Sequence, residues 1–210
     1  MNQTLPSVPL ITCDPYFSVW SPADRLTDTP TVSWTDAEKR MTGTVVIDGK
    51  KYRWMGDTGE PALEQTALTV SPTASSYVFA GDGVRLTVTF LTPLLLTDLD
   101  LTSRPVSYIS LEAESADGAS HQVTAALTLD EGFCYDGEQR RPMLGGVHAC
   151  DGFRAAWMGQ KRQAPLSHSG DGVTVDWGYL YLASCDGTVE YRTDERNELT
   201  ASFPVSYTHL

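Results

Sequence analysis

Seven Asp-Gly steps punctuate this chain: Asp48-Gly49, Asp82-Gly83, Asp117-Gly118, Asp136-Gly137, Asp151-Gly152, Asp171-Gly172 and Asp186-Gly187. Both residue types tolerate the positive φ angles that a two-residue hairpin turn demands, and the twist of such a turn matches the strands it joins. Between these steps lie short runs in which apolar and polar residues alternate. The clearest is Val84-Arg85-Leu86-Thr87-Val88-Thr89-Phe90, whose period of two puts Val84, Leu86, Val88 and Phe90 on one face. A one-residue slip would turn all four outward, so the pairing must be well specified. Thr42 to Ile47 and Lys50 to Met55 flank Asp48-Gly49 as the clearest hairpin, with Val46, Tyr52 and Trp54 expected on its buried face. Val106 to Ala113 and Gln122 to Leu129 read as a second hairpin about Asp117-Gly118, and Val173 to Leu182 as a closing aromatic strand. Helical pattern is confined to a short stretch near Leu94 to Leu101. These features predict an all-β fold, an antiparallel β-sandwich with an N-terminal extended segment and hairpin.

Ahead of the hairpin, Leu10 to Trp20 carries heavy aromatic weight around Asp14-Pro15. Proline disfavours the α region at Asp14, so this segment should stay extended or turn there. Two readings apply. Asp14, Tyr16 and Trp20 can line a pocket, an acid flanked by rings being suited to sugars or amides. Alternatively, Asp14 starts a turn while the rings fill the core. Ser21 to Lys39 has no apolar period and reads as an irregular connection. Its Trp34 either anchors the loop to the core or stands out for stacking on a ligand, with anchoring the default. Trp54 completes the set of substrate-binding candidates.

A net charge of −12 opposes binding to polyphosphate, whose affinity comes mainly from Lys and Arg, so nucleic acid is not an expected partner. The first ten residues lack a basic, then apolar, leader, and no later stretch approaches a bilayer's width, so the expectation is a cytoplasmic chain with no membrane partner. Cys13, Cys134, Cys150 and Cys185 are scattered, without Cys-x-x-Cys or nearby His, which favours buried thiols over disulfides and gives no metal site. No glycine-rich phosphate loop follows a strand, and no cofactor is expected. Asp130-Glu131 are adjacent carboxylates, but strand neighbours point to opposite faces. Ser167-His168-Ser169 sits in a polar loop without a nucleophile elbow, and His121, His148 and His209 are isolated.

Six stretches carry a family resemblance. Val8 to Trp20, Trp34-Thr35 and Met41-Thr42-Gly43 through Gly56 resemble the N-terminal region of the glutaminase A family of fungi and bacteria. Val84 to Pro93, Asp98 to Ser107 and Asp176 to Leu180 resemble the β domain that follows it there. The likeness reaches about Phe203 and is looser from Gly132 to Pro165. It implies an amidohydrolase that converts glutamine to glutamate and ammonia. In such an enzyme a β region precedes a helical toroid that is expected to hold the catalytic machinery. The implied partners are that C-terminal toroid of the same polypeptide and a small-molecule substrate.

Three segments follow: 1–65, an N-terminal glutaminase-like ribbon and hairpin; 66–203, an incomplete β-sandwich; and 204–210, a tail resembling a translated sequencing adapter and read as non-native. Ser33-Trp34-Thr35-Asp36 departs from the family, which has His before the Trp and Gly after the Thr. No catalytic motif of the family falls within these positions, so the catalytic residues stay unassigned. The alternative is a carbohydrate-binding module or accessory domain of a glycoside hydrolase, which needs Trp54, Trp157 and Trp177 exposed and coplanar. A free-standing hydrolase using Asp130 or Glu131 is a third reading.

Overall fold

The structure is a computed structural model and describes residues 5–137 and 139–205; from residue 206 on, the expected non-native tail lies outside the described residues. The chain folds as an all-β sandwich of antiparallel sheets, as the alternating runs require. β1 (Val8–Asp14) and β2 (Phe17–Ser21) form the N-terminal ribbon. β3 (Met41–Ile47) and β4 (Lys50–Met55) form the hairpin about Asp48-Gly49, where both turn residues have positive φ. β5 (Glu64–Val70), β6 (Ala74–Gly81), β7 (Val84–Leu91) and β8 (Tyr108–Ser115) make a four-stranded sheet in sequence order. β9 (Val123–Asp130), β13 (Thr188–Arg192) and β14 (Glu198–Pro204) join the hairpin in a five-stranded sheet of order β13-β14-β9-β3-β4. β10 (Met143–Cys150), β11 (Phe153–Gln160) and β12 (Leu180–Ser184) form a three-stranded sheet.

The core follows the period-two pattern. Val84, Leu86, Val88 and Phe90 are all buried on one face of β7. They meet Met41, Val45 and Ile47 of β3 and Ala125, Leu127 and Leu129 of β9 in one apolar cluster. Aromatic contacts stitch the layers together. The Trp54 and Phe79 rings lie 6.4 Å apart, and Tyr77 packs edge-on against Phe90 at 6.1 Å. At the far end of the five-stranded sheet the three-stranded sheet takes over as cover, and a Cβ at Gly145 would run into the Tyr191 ring.

Three expectations change. Asp117-Gly118 does not close a hairpin: β8 is the edge of the four-stranded sheet while β9 pairs with β3 and β14, so this connection carries the chain from one sheet to the other. Turn chemistry bends the backbone, but the partner of the next strand is chosen by where its apolar face can be buried. In the hairpin Val45, not Val46, faces the core beside Tyr52; Met41, Gly43, Val45 and Ile47 alternate inward along β3, and Val46 stands opposite Lys51 on the other face. The closing run is a strand only from Leu180, since Val173 to Gly178 is irregular.

Two short helical pieces occur among the described residues. α1 (Leu99–Thr102), capped by the Asp98 side chain accepting from Leu101 N at 3.0 Å, has no buried residue. A 3-10 turn spans Glu131–Cys134 directly after β9. No helix among the described residues is long and apolar enough to cross a membrane.

Candidate functional site

The ribbon builds a groove at its own tip. Asp14 turns the chain between β1 and β2: its Oδ1 accepts from Tyr16 N at 2.7 Å and from Phe17 N at 3.0 Å, the local geometry expected of Asp before a turn. β2 then runs back against the 21–39 connection. Trp20 and Val32 exchange backbone hydrogen bonds of 2.7 and 3.0 Å, and Val32 is bridged in turn to Glu38. The tip of this fold-back is tied locally. Ser33 N donates to Ala37 O at 2.8 Å, Asp36 N donates to Ser33 O at 3.1 Å, and Asp36 takes φ +63°.

Its anchors are Leu26, 1% exposed, and Thr31, which donates to Lys39 O and accepts from Met41 N at 2.9 Å. Trp34 is therefore not needed as an anchor and stands 50% exposed, against the default reading of a Trp in a loop. Thr12, Asp14, Pro15, Ser18, Trp20 and Trp34 line an open groove of about 280 Å³.

Of the five candidates, the groove unites Asp14, Trp20 and Trp34. Tyr16, half exposed, is not among the groove's lining residues; with Phe17, Ser18, Lys39, Phe133 and Thr174 it borders a separate cleft of about 10 Å³, room for roughly one water. Trp54 lies apart from both. It is fully buried, donates from Nε1 to Thr44 O at 3.0 Å and fills the space over Gly43, where a Cβ would strike the indole. It is a core residue with no face left for a ligand. This also removes the Trp54, Trp157 and Trp177 platform.

Lys39 gave no signal in the sequence, since a lysine in a polar connection looks solvated. In the structure it is 5% exposed and donates from Nζ to Gly132 O, Tyr135 O and Thr174 Oγ1 at 2.8, 2.9 and 3.1 Å. Thr174 in turn donates to Asp136 Oδ1 at 3.0 Å. Burial pulls the Lys39 ammonium down to about 8, opposed by the negative charge of Asp136. Three acceptors match the three N–H groups of the charged form, so Lys39 is a structural staple joining the 21–39 connection to the 3-10 turn and to Thr174.

Asp130 and Glu131 are likewise buried and paired. Asp130 accepts from Gly132 N and from Arg196, each at 2.9 Å, and burial raises its carboxyl. Burial pushes Glu131 up too, but Arg140 and Asn197 outweigh it and hold its carboxyl low. Each acid has its own cation and neither opens on a cleft, so the pair is a brace for the β9 terminus.

His121 bridges Asp117 and Asp48, at 3.0 and 2.7 Å, and clamps the sheet-to-sheet crossover onto the hairpin turn. Hydrogen bonds to Asp117 and then Asp48 raise the imidazole, while Asp117 falls to about 2. His168 lies 3.4 Å from Asp176 in an exposed loop, and His148 stacks on Trp157. Among the described residues no group of three or more His, Cys, Asp or Glu could hold a metal ion, and the four cysteines are free thiols.

Residues 73–208 match the family model described as Domain of unknown function (DUF5127). The chain belongs to the DUF5127 family. Residues 2–67 match a second model, Domain of unknown function (DUF4964). The DUF5127 chain is also 27% identical over 192 residues to Glutaminase A of Aspergillus oryzae (strain ATCC 42149 / RIB 40). That alignment takes in 86% of this chain but spans only 27% of the length of the Aspergillus protein, a distant relationship to a much longer polypeptide. No solved structure matches.

Proposed function

We propose that this chain is the β region of a larger glutaminase-related amidohydrolase that converts glutamine to glutamate and ammonia. In this reading it braces and rims an active site supplied by a C-terminal helical toroid of the same polypeptide. The observation that carries the reading is the similarity to Glutaminase A, which runs through 86% of the chain. Two features of one end of the molecule support it. The groove of Asp14, Trp20 and Trp34 opens there. Beside it lies the connection from β7 to β8, tied to the ribbon by Thr12 N donating to Thr92 Oγ1 at 3.1 Å and by Cys13 Sγ against Ser107 Oγ at 3.4 Å. That connection leaves Leu94, Leu96 and Leu99 exposed by 57, 79 and 76%, the kind of apolar surface that marks an interaction site.

The test is a replacement of the matched region of the Aspergillus protein by these residues. The chimera should release ammonia from glutamine while the 210-residue chain alone does not. A folded chimera inactive on glutamine and on a panel of amides would count against the reading. A second reading, a saccharide-binding module, is favoured by one observation. Tyr179 and Tyr181 are about half exposed beside Trp157 on the outer side of the three-stranded sheet, with Trp157 and Tyr179 edge to face at 5.2 Å. Calorimetric titration with oligosaccharides that evolves no heat would remove it.

A further inference from the structure

We infer that the Asp14–Trp20–Trp34 groove is a cation site that takes an ammonium group, with a free α-amino acid as its ligand class. The naming of glutamine below rests on the glutaminase-related reading; the cation site itself does not. The argument starts from what Asp14 has left to offer. Its Oδ1 is engaged by two backbone N–H groups, whereas no hydrogen bond to Oδ2 is found among the described residues. Among the described residues no Lys, Arg or His lines the groove, so the carboxylate has no described cation beside it there, in a chain that already carries −12.

The remaining walls are the two indoles with Thr12, Pro15 and Ser18. Trp34 is half exposed, and Trp20 lies partly open with its Nε1 donating to Ser18 Oγ at 3.2 Å. That bond occupies both the ring's only donor and a lone pair of the hydroxyl. A neutral sugar would need several directed donors and acceptors, and the groove offers few. An ammonium group needs one negative charge and the faces of aromatic rings, and the groove offers both. Its volume of about 280 Å³ lies just below the roughly 300 Å³ at which drug-sized pockets begin, a scale suited to an amino acid.

Asp14 also permits a clean variant. In Asp14→Asn the side-chain carbonyl can still accept from Tyr16 N and Phe17 N, so the turn is kept and only the charge is lost. The test follows the indole Nε1–H signals of Trp20 and Trp34 by ¹H–¹⁵N NMR on the full 210-residue chain. The titrants are L-glutamine, N-acetyl-L-glutamine, which lacks the ammonium, and tetramethylammonium.

L-glutamine and tetramethylammonium should shift both signals and N-acetyl-L-glutamine should not. Asp14→Asn and Trp34→Ala should each weaken the response about tenfold or more, with the thermal midpoint of Asp14→Asn unchanged. Equal shifts from L-glutamine and its acetylated form overturn the cation site, and so does silence from every titrant. A response to tetramethylammonium alone upholds the cation site and overturns glutamine as its ligand. An inactive chimera in the preceding experiment would leave this titration result standing, so the two ideas fail separately.

Discussion

Trp34 and Trp54 sit twenty positions apart in neighbouring segments and have opposite fates. Trp54 belongs to a strand whose partner carries Gly43 beneath the ring, and it is fully buried with its indole N–H satisfied by Thr44 O. Trp34 belongs to a fold-back whose anchoring is done by smaller groups, Leu26, Thr31 and the Lys39 staple, and it stands half in solvent. An aromatic ring is buried where the backbone leaves a vacancy for it. Where other side chains already secure the segment, the ring is released to the surface, and there it can meet a ligand.

The sharpest break of this comparison is truncation of the two rings. Trp54→Ala should cost about 3–5 kcal/mol by denaturant unfolding, the usual loss for a large buried ring. Trp34→Ala should cost under about 0.5 kcal/mol, as for surface changes generally. Equal costs would show that Trp34 is an anchor after all. Gly43→Val, which drives a branched side chain into the Trp54 indole, should cost about 1–3 kcal/mol by denaturant unfolding.

Lys39→Met sharpens the other half of the comparison. It leaves Gly132 O and Tyr135 O without their donor and should lower stability by about 2–4 kcal/mol at neutral pH. The pH dependence carries the sign. Burial holds Lys39 at about 8 when folded against 10.5 for an ordinary lysine, so between these the unfolded chain binds more protons and stability rises with pH. Urea midpoints measured from pH 7.5 to 10.5 should show that rise in the parent and a flatter line in Lys39→Met.

The smallest expected effect is at His121. Its folded imidazole is raised above 6.5 by Asp117 and Asp48, so its contribution is fully present below the unfolded value and is lost as pH rises through the folded one. His121→Gln should erase that small slope in thermal midpoints between about pH 6 and 8. High salt should shrink it in the parent, as the clamp carboxylates are partly exposed.

The same contrast governs how far the sequence could be read. Val84 to Phe90 declared both its strand and its buried face, because strict alternation leaves one consistent phase. In β3 Val45, Val46 and Ile47 are all apolar, so the run left two phases open, and Val46 was the wrong side chain to place in the core. Asp117-Gly118 shows the same limit at the level of topology, for a turn that would serve a hairpin here passes the chain to another sheet. At the groove, the aromatic and acidic character of Asp14, Trp20 and Trp34 was visible. Their convergence, the divergence of Tyr16 and Trp54, and the burial of Lys39 were not.

By itself the chain's sequence determined an antiparallel β architecture, the position of its tight turns and the apolar face of its most regular strand. These depend on φ preferences and on a side-chain period of two, both of which act between near neighbours. Only the tertiary structure decided which strands share a sheet, which tryptophan is core and which is surface, and which lysine becomes a buried staple. Those outcomes depend on vacancies and hydrogen-bond acceptors supplied by segments up to 135 residues away, as for Lys39 and Thr174, and nothing local encodes them.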